Sequence, residues 1–254
     1  MKKITLLFLI SATLIFASSS SLRKYSHVKS FYKELTPSAL IIAKKYHIPP
    51  AALLAVSGLE SGYDSGYVGQ ITGNILSLGA YKSDAELPSL YLPWCDSKKS
   101  VLYDEKEIKT CPKEALHYKQ RPKSLKRDYR PIKEAGSTEK LAYFKYHPKE
   151  KAEAHYRCLE DFASRWIRKD SKIEAFAQTR IWLDKLVEKE GVQVLYKKQT
   201  NIDFIHHIGG VPHSFNYRET WPPKVMYIME RAELVQLTQD MALHGKSFEE
   251  AWSK

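Results

Sequence analysis

Glu60 is the residue whose type and position most clearly offer chemistry. It stands near the end of the apolar run LLAVSGLESGY (residues 53–63), next to Leu59 and one helical turn after Val56. Apolar surroundings disfavour a charged carboxylate, and the C-terminal end of a helix adds negative potential. Both effects raise a glutamate pKa, and a protonated glutamate can donate a proton when a glycosidic bond is cleaved. By spacing alone, a solvated glutamate at a helix end is the more common interpretation.

The helix that carries Glu60 is predicted to run from about Pro50 to Ser61. Proline suits the first position of a helix, and Gly62 is a natural residue to end one. The apolar positions repeat with helical spacing at Ala52, Ala55, Val56 and Leu59. We therefore expect a helix that presents its terminal glutamate at the edge of the core.

The remaining chain is predicted to be mostly helical, with an irregular insertion. An earlier helix begins at Thr36 and Pro37, after a lead-in segment over residues 22–35. Residues 81–146 are rich in Lys, Pro, Tyr and Ser, and LAYFKYHP (141–148) has the aromatic alternation of a strand. Helical spacing returns in three later segments, at 148–167, 171–191 and 221–243. The predicted fold class is α+β, mainly α, with a small β-containing lobe.

Three segments occur in the same order as in a known family. The first segment is LESGY (59–63) at the end of the apolar helix, followed by Asn74 and Gly79. The second is FKY at 144–146. In the third, Tyr217 precedes a helix that contains Lys224 and Val225. Together they resemble the bacterial cell-wall β-N-acetylglucosaminidases of the autolysin and flagellar-hydrolase type, glycoside hydrolase family 73. The family has Trp where this chain has Tyr63, and two fewer residues between the positions of Asn74 and Gly79.

The resemblance implies a lysozyme-like helical lobe, a small β-lobe over residues 81–146 and a substrate cleft between them. It implies that Glu60 is the general acid and that Tyr217 lines the sugar site on one side of the scissile bond. Tyr63 and Asn74 would then bind substrate. Trp221 is expected either to stack on a sugar or to form a structural corner beside two prolines.

A second catalytic carboxylate is less clearly indicated. The family places an acid before its Phe-Arg-x-Tyr strand, and Asp128 in KRDYRP is the nearest equivalent, with Glu134 as the alternative. A residue of either kind is more often a surface charge. A substrate-assisted route, in which the acetamido oxygen of the sugar attacks, needs neither.

Other groups of charged or reactive residues are weaker candidates for a functional site. The stretch 117–133 carries seven Lys or Arg and one acid, which suits either an anionic glycan or a solvated face. The adjacent His206 and His207 point in different directions in regular structure and disfavour a metal pair. Neither Cys95 nor Cys158 lies in a recognisable nucleophile motif. We expect no metal and no organic cofactor.

Composition and the first residues indicate an exported protein. The basic start, the apolar run Ile4–Ala17 and the small residues that follow have the layout of a signal peptide over residues 1–21. Without Lys2 and Lys3 the net charge falls from +11 to +9, which favours an anionic partner. The prediction is a location in the periplasm or cell envelope, with peptidoglycan as partner, no nucleic acid and no stable membrane insertion.

The sequence therefore predicts an endo-β-N-acetylglucosaminidase that cleaves peptidoglycan glycan strands. A lytic transglycosylase is the alternative enzyme, although no Gly-Leu-Met-Gln-like segment follows Glu60. A wall-binding scaffold without activity is the alternative from another class. In an oxidising compartment, Cys95 and Cys111 would close a short loop if they pair, and this pairing stays open.

Overall fold

The computed structural model of the protein describes residues 21–81, 90–102, 105–120, 129–132 and 143–253. Within them the fold is mainly helical with one small antiparallel sheet, which confirms the predicted class. No described helix is long and apolar enough to cross a bilayer. The helices are α1 (Ser26–Tyr46), α2 (Pro50–Ser61), α3 (Tyr67–Thr72), α4 (Glu105–Thr110), α5 (Tyr143–Tyr146), α6 (Pro148–Asp161), α7 (Glu174–Glu190), α8 (Lys198–Ile208), α9 (Trp221–Arg231), α10 (Leu234–Ala242) and α11 (Phe248–Trp252). The strands are β1 (Tyr91–Cys95), β2 (Ser100–Val101) and β3 (Leu116–Gln120).

Helix α2 is the centre of the core and carries Glu60 in its last turn. Its predicted bounds are confirmed, from Pro50 to Ser61, and Gly62 ends it in the left-handed conformation (φ 57°). Burial extends beyond the predicted stripe, because every residue from Pro50 to Gly58 is buried. Helices α1, α8, α9 and α10 pack around it. The catalytic candidate is thus attached to the most enclosed element of the fold.

Helix α1 begins at Ser26 rather than at Thr36, so the predicted lead-in segment 22–35 is largely helical. Its buried face explains the difference and includes Val28, Phe31, Tyr32 and Leu35. Pro37 lies inside the helix on its exposed side. The Thr36 hydroxyl donates to the carbonyl of Tyr32 (2.6 Å) instead of capping a helix start. Packing of an apolar face outweighs a local start signal, since most helical stability in proteins is tertiary.

The sheet lies in the segment predicted to contain strands. Its order is β2-β1-β3, and both neighbouring pairs are antiparallel. In the central strand, Trp94 pairs with Val101 on one side and with His117 on the other. The strands carry the aromatic residues Tyr91, Trp94 and Tyr118, which suit a partly buried sheet surface.

A disulfide between Cys95 and Cys111 fastens the end of β1 to the residue after α4. The two half-cystines and Leu102 form a small buried cluster separate from the main core. This is the pairing that the cysteine spacing left open. Cys158, on the buried face of α6, is free.

The predicted strand at 141–148 is wrong over residues 143–146, which form helix α5. Tyr143 and His147 are four residues apart, and their rings stack with centroids 4.1 Å apart. Phe144 is buried against Ala154 of α6. These contacts need the helical spacing, so aromatic alternation is a misleading signal here.

Helices α6, α7 and the start of α9 confirm the later helical segments, but the last predicted helix is broken. Glu233 adopts a left-handed conformation (φ 49°) between α9 and α10. At the break, the Arg23 guanidinium donates to the carbonyls of Ala232 (3.0 Å) and Glu233 (3.1 Å). It also donates to the carbonyls of Ala251 (3.0 Å) and Trp252 (3.1 Å) in α11. A distant side chain therefore satisfies the carbonyls that the broken helix leaves open.

Candidate active site

Glu60 lies in the wall of a pocket beside the C-terminal end of α2. The pocket has a volume of about 200 Å³, and Glu60 is the only acid among its described lining residues. These are Glu60, Ser61, Gly66, Val68, Gly69, Asn74, Ser77 and Leu78. The carboxyl is half-buried, between the enclosed helix and the cleft. The structure thus places the predicted general acid where a small ligand can reach it.

The Glu60 carboxyl is oriented by the indole of Trp221. Nε1–H of Trp221 donates to Oε1 of Glu60 (2.8 Å). Burial raises the pKa of Glu60, and the indole bond, which favours the charged form, offsets only part of this rise. No described group bonds to Oε2, so this oxygen is available to carry the proton. A carboxyl held in one orientation and shifted toward its protonated form has the properties of a general acid.

Trp221 is a structural residue of the site rather than a sugar platform. It is 3% exposed, so the prediction that it stacks on a sugar is wrong and the corner interpretation is supported. Gly209 lies against its indole so closely that an added Cβ would overlap the ring. The Phe215 ring packs on the same indole with centroids 5.5 Å apart. The loop between α8 and α9 therefore covers the indole and aims its N–H at Glu60.

The turn after α2 forms part of the pocket wall and is strained. Gly62, Tyr63 and Asp64 are consecutive left-handed residues, with φ of 57°, 58° and 62°. For a residue with a Cβ this conformation costs about 1–2 kcal/mol. The Ser61 hydroxyl accepts from the Asp64 N–H (2.9 Å), and the Ser61 carbonyl accepts from the Gly66 N–H (2.9 Å). These bonds close the turn beside the catalytic candidate.

Tyr63, predicted to bind substrate, packs among aromatic side chains instead of lining the pocket. Its ring meets those of Phe31 and Tyr32 edge-on, with centroids 6.0 Å apart in both pairs, and that of His27 at 5.9 Å. Burial raises the pKa of Tyr63 to about 12, and Tyr227 adds to the shift. The tyrosine secures the turn to α1.

Asn74, also predicted to bind substrate, lines the pocket but uses its amide to shape a loop. Nδ2 donates to the Leu78 carbonyl (2.9 Å), and Oδ1 accepts from the Leu78 N–H (2.8 Å). These two bonds close the 74–78 loop. Ser77 within this loop donates to the Glu60 carbonyl (3.4 Å) and faces the pocket. The sequence analysis did not single out this serine.

Among the other predicted catalytic residues, only Tyr217 lies in the part of the chain that the structure describes. Tyr217 is 67% exposed in the loop before α9 and is not among the lining residues. Asp128 and Glu134 lie outside the described residues, as does much of the basic stretch 117–133. Arg130 of that stretch is buried, so it belongs to no solvated basic face. Of the two predicted catalytic residues that the structure describes, Glu60 lines the cavity and Tyr217 does not.

A charge cluster that the sequence did not predict joins the strained turn to α6 and α1. His155 is buried; its Nδ1 lies 2.7 Å from Oε1 of Glu34, and its Nε2 lies 3.7 Å from Oδ1 of Asp64. Lys151 pairs with the other oxygen of Asp64. Burial raises the pKa of Asp64, but the two cations outweigh it and the pKa is lowered overall. Burial lowers the pKa of His155, but the two carboxylates raise it overall.

Cysteine and metal chemistry find little support in the part of the chain that the structure describes. No three His, Cys, Asp or Glu side chains are arranged there to hold a metal ion. His207 stacks on Trp182 with ring centroids 4.5 Å apart. Cys95 is bonded in a disulfide, and burial raises the pKa of the Cys158 thiol to about 12. A reactive thiolate needs the opposite shift.

Comparisons with protein-family models, with curated proteins and with solved structures find no match to this chain. The features of the chain that bear on function are the geometry of the Glu60 pocket and the three short segments around Glu60, Phe144 and Tyr217. Of these, the Glu-Ser-Gly segment is the one that reaches the pocket, through Glu60 and Ser61.

Proposed function

We propose that the protein is an endo-β-N-acetylglucosaminidase that cleaves the glycan strand of peptidoglycan, with Glu60 as general acid. The observation that carries this proposal is the Glu60–Trp221 pair at the edge of the pocket. The signal-like residues 1–21 and the net positive charge support an exported protein that meets an anionic polymer. The resemblance of the three segments supplies the identity of the bond.

The pair can protonate a leaving oxygen in one step. The neutral carboxyl accepts the Trp221 N–H at Oε1 and carries its proton on Oε2. As the glycosidic bond breaks, that proton passes to the departing oxygen and Glu60 becomes a carboxylate. The indole N–H then stabilises the new charge, because a hydrogen bond to a charged acceptor contributes more than one to a neutral acceptor. The interaction is therefore stronger in the charged transition state than before the reaction.

The described lining of the pocket is compatible with routes that need no second carboxylate. Glu60 is the only acid among the described lining residues, whereas inverting and retaining hydrolysis each use a carboxylate pair. Attack by the substrate's own acetamido oxygen, followed by water, gives hydrolysis and a reducing end. Attack by a hydroxyl of the same sugar gives an anhydro end, the product of a lytic transglycosylase. The same observation therefore makes the transglycosylase our second candidate.

Digestion of purified peptidoglycan tests the proposal. The mature protein should release fragments with reducing N-acetylglucosamine ends, read by mass spectrometry, and Glu60→Gln should release none. Glu153→Gln is a matched control, since Glu153 forms an exposed ion pair with Arg157 on α6 and lies outside the pocket. Anhydro ends would move the assignment to the lytic transglycosylase. Binding of peptidoglycan without cleavage by any of these proteins would favour the scaffold.

A further inference from the structure

The cluster of Glu34, Asp64, Lys151 and His155 has no part in the chemistry proposed above, yet it contacts the turn that follows Glu60. We propose that this cluster positions the general acid by fastening the turn to α6 and α1 while His155 is protonated. The catalytic consequence rests on the proposed function. The structural coupling between the cluster and Glu60 can be measured without any activity.

The turn needs an external support because its backbone is strained. Tyr63 and Asp64 both adopt the left-handed conformation, and such residues persist only where their surroundings hold them. The Asp64 N–H donates to the side chain of Ser61, which lines the pocket next to Glu60. Gly69, another lining residue, lies beside the Asp64 carboxylate. A displacement of Asp64 would therefore reach the pocket wall through residues in direct contact.

The geometry of the cluster favours a charged imidazole, because His155 lies between two carboxylates. Glu34 faces Nδ1 of His155 from α1, Asp64 faces Nε2 from the turn, and Lys151 pairs with Asp64 from one helical turn earlier on α6. Nε2 of His155 and Oδ1 of Asp64 are buried, and neither has a hydrogen bond to a described group. Opposite charges are what hold them together. A neutral imidazole can still donate from Nδ1 to Glu34, but it carries no charge to attract the Asp64 carboxylate.

Loss of the proton on His155 should release the turn. The two carboxylates raise the pKa of His155, so the imidazole stays charged above the pH at which a free histidine loses its proton. The release of the turn is therefore expected at a higher pH. Asp64 then keeps Lys151 as its partner but loses its attachment to His155. The turn then loses its charge contact through His155 to Glu34 of α1 and keeps only the packing of Tyr63 there, so the orientation of Glu60 relaxes. We expect Glu60 to respond to two titrations, its own and that of His155.

Nuclear magnetic resonance tests this coupling directly. The indole N–H of Trp221 reports on Glu60, and the ring resonances of His155 report on its protonation. In the wild type the Trp221 resonance should shift in two steps, the second at the pKa of His155. Glu34 is partly exposed, and its replacement in Glu34→Gln leaves the turn intact. The variant should lower the midpoint pH of the second step by about one pH unit in both resonances. Glu153→Gln should leave both steps in place.

Two results would overturn the proposal: a Trp221 resonance that titrates with Glu60 alone, or steps that do not move together in Glu34→Gln. With glycan substrate, Asp64→Asn should lower kcat by about 10- to 100-fold, as expected for a misplaced catalytic group. KM should change by less than about two-fold. A wild-type kcat in Asp64→Asn would contradict the positioning role. If the wild type cleaves no glycan, the proposed function fails, and the resonance titration still decides the coupling.

Discussion

Replacing Trp221 by Phe removes the donor to the Glu60 carboxyl and keeps an aromatic ring beneath the loop that covers it. Because the donor favours the charged carboxylate, its loss should raise the Glu60 pKa. A hydrogen bond to a charged group contributes about 1.5–3 kcal/mol, and one pKa unit corresponds to about 1.4 kcal/mol. Glu60 is only half-buried, so the lower limit applies, and we expect a rise of about one unit.

The Glu60 pKa can be measured by carbon-13 titration of its carboxyl, with Glu60→Gln identifying the resonance. In kinetics, the alkaline limb of kcat/KM should move upward by the same amount, since it reports the acid of the free enzyme. Trp182→Phe is the control, because Trp182 stacks on His207 and does not line the pocket. An unchanged or lower Glu60 pKa in Trp221→Phe would refute the reasoning about the indole bond.

Three further predictions concern stability. The melting temperature of Glu60→Gln should exceed that of the wild type at alkaline pH and match it in acid. The reason is that a carboxyl with a raised pKa destabilises the fold once it ionises. An equal gain in melting temperature at every pH would contradict the raised pKa. Gly209→Ala should lower the melting temperature and alter the Trp221 fluorescence, because the added Cβ would overlap the indole. An unchanged melting curve would exclude this close approach of Gly209 to Trp221. Removing the Cys95–Cys111 disulfide should cost up to about 3 kcal/mol and increase hydrogen exchange mainly in the sheet; an increase spread over the helices would contradict a local role.

Helix ends that depend on proline and glycine are predictable from the sequence. Helix α2 begins at Pro50 and ends before Gly62, as expected, because proline restricts the first turn and glycine accepts the left-handed conformation. The position of Glu60 at the end of this helix follows directly. The extent of α2 burial was not predictable, because it depends on which helices surround it.

Elements that depend on distant partners were not predictable. The start of α1 at Ser26 is decided by an apolar face that finds the core. The break at Glu233 is stabilised by Arg23, which lies 210 residues earlier. Helix α5 forms where Phe144 packs on α6, although its aromatic alternation suits a strand. In each case tertiary contacts outweigh a local signal.

The site shows the same division. Glu60 is identifiable from its helix, but its partner Trp221 lies 161 residues away and is buried rather than presented to a sugar. Asp64 and His155 are likewise far apart in sequence, and only the spacing of Lys151 and His155 on one helix is visible in advance. Sequence patterns identify the acid, whereas the fold supplies the groups that orient it.

The most direct test of the central claim compares two substrates that differ in their need for an acid. Glu60→Gln should lose about 100-fold or more in kcat on the natural glycan, as expected when general acid catalysis is removed. On a dinitrophenyl glycoside, whose leaving group departs without protonation, the same variant should keep most of the wild-type rate of bond cleavage. Equal losses on both substrates, or no loss on the glycan, would contradict the assignment of Glu60 as the general acid.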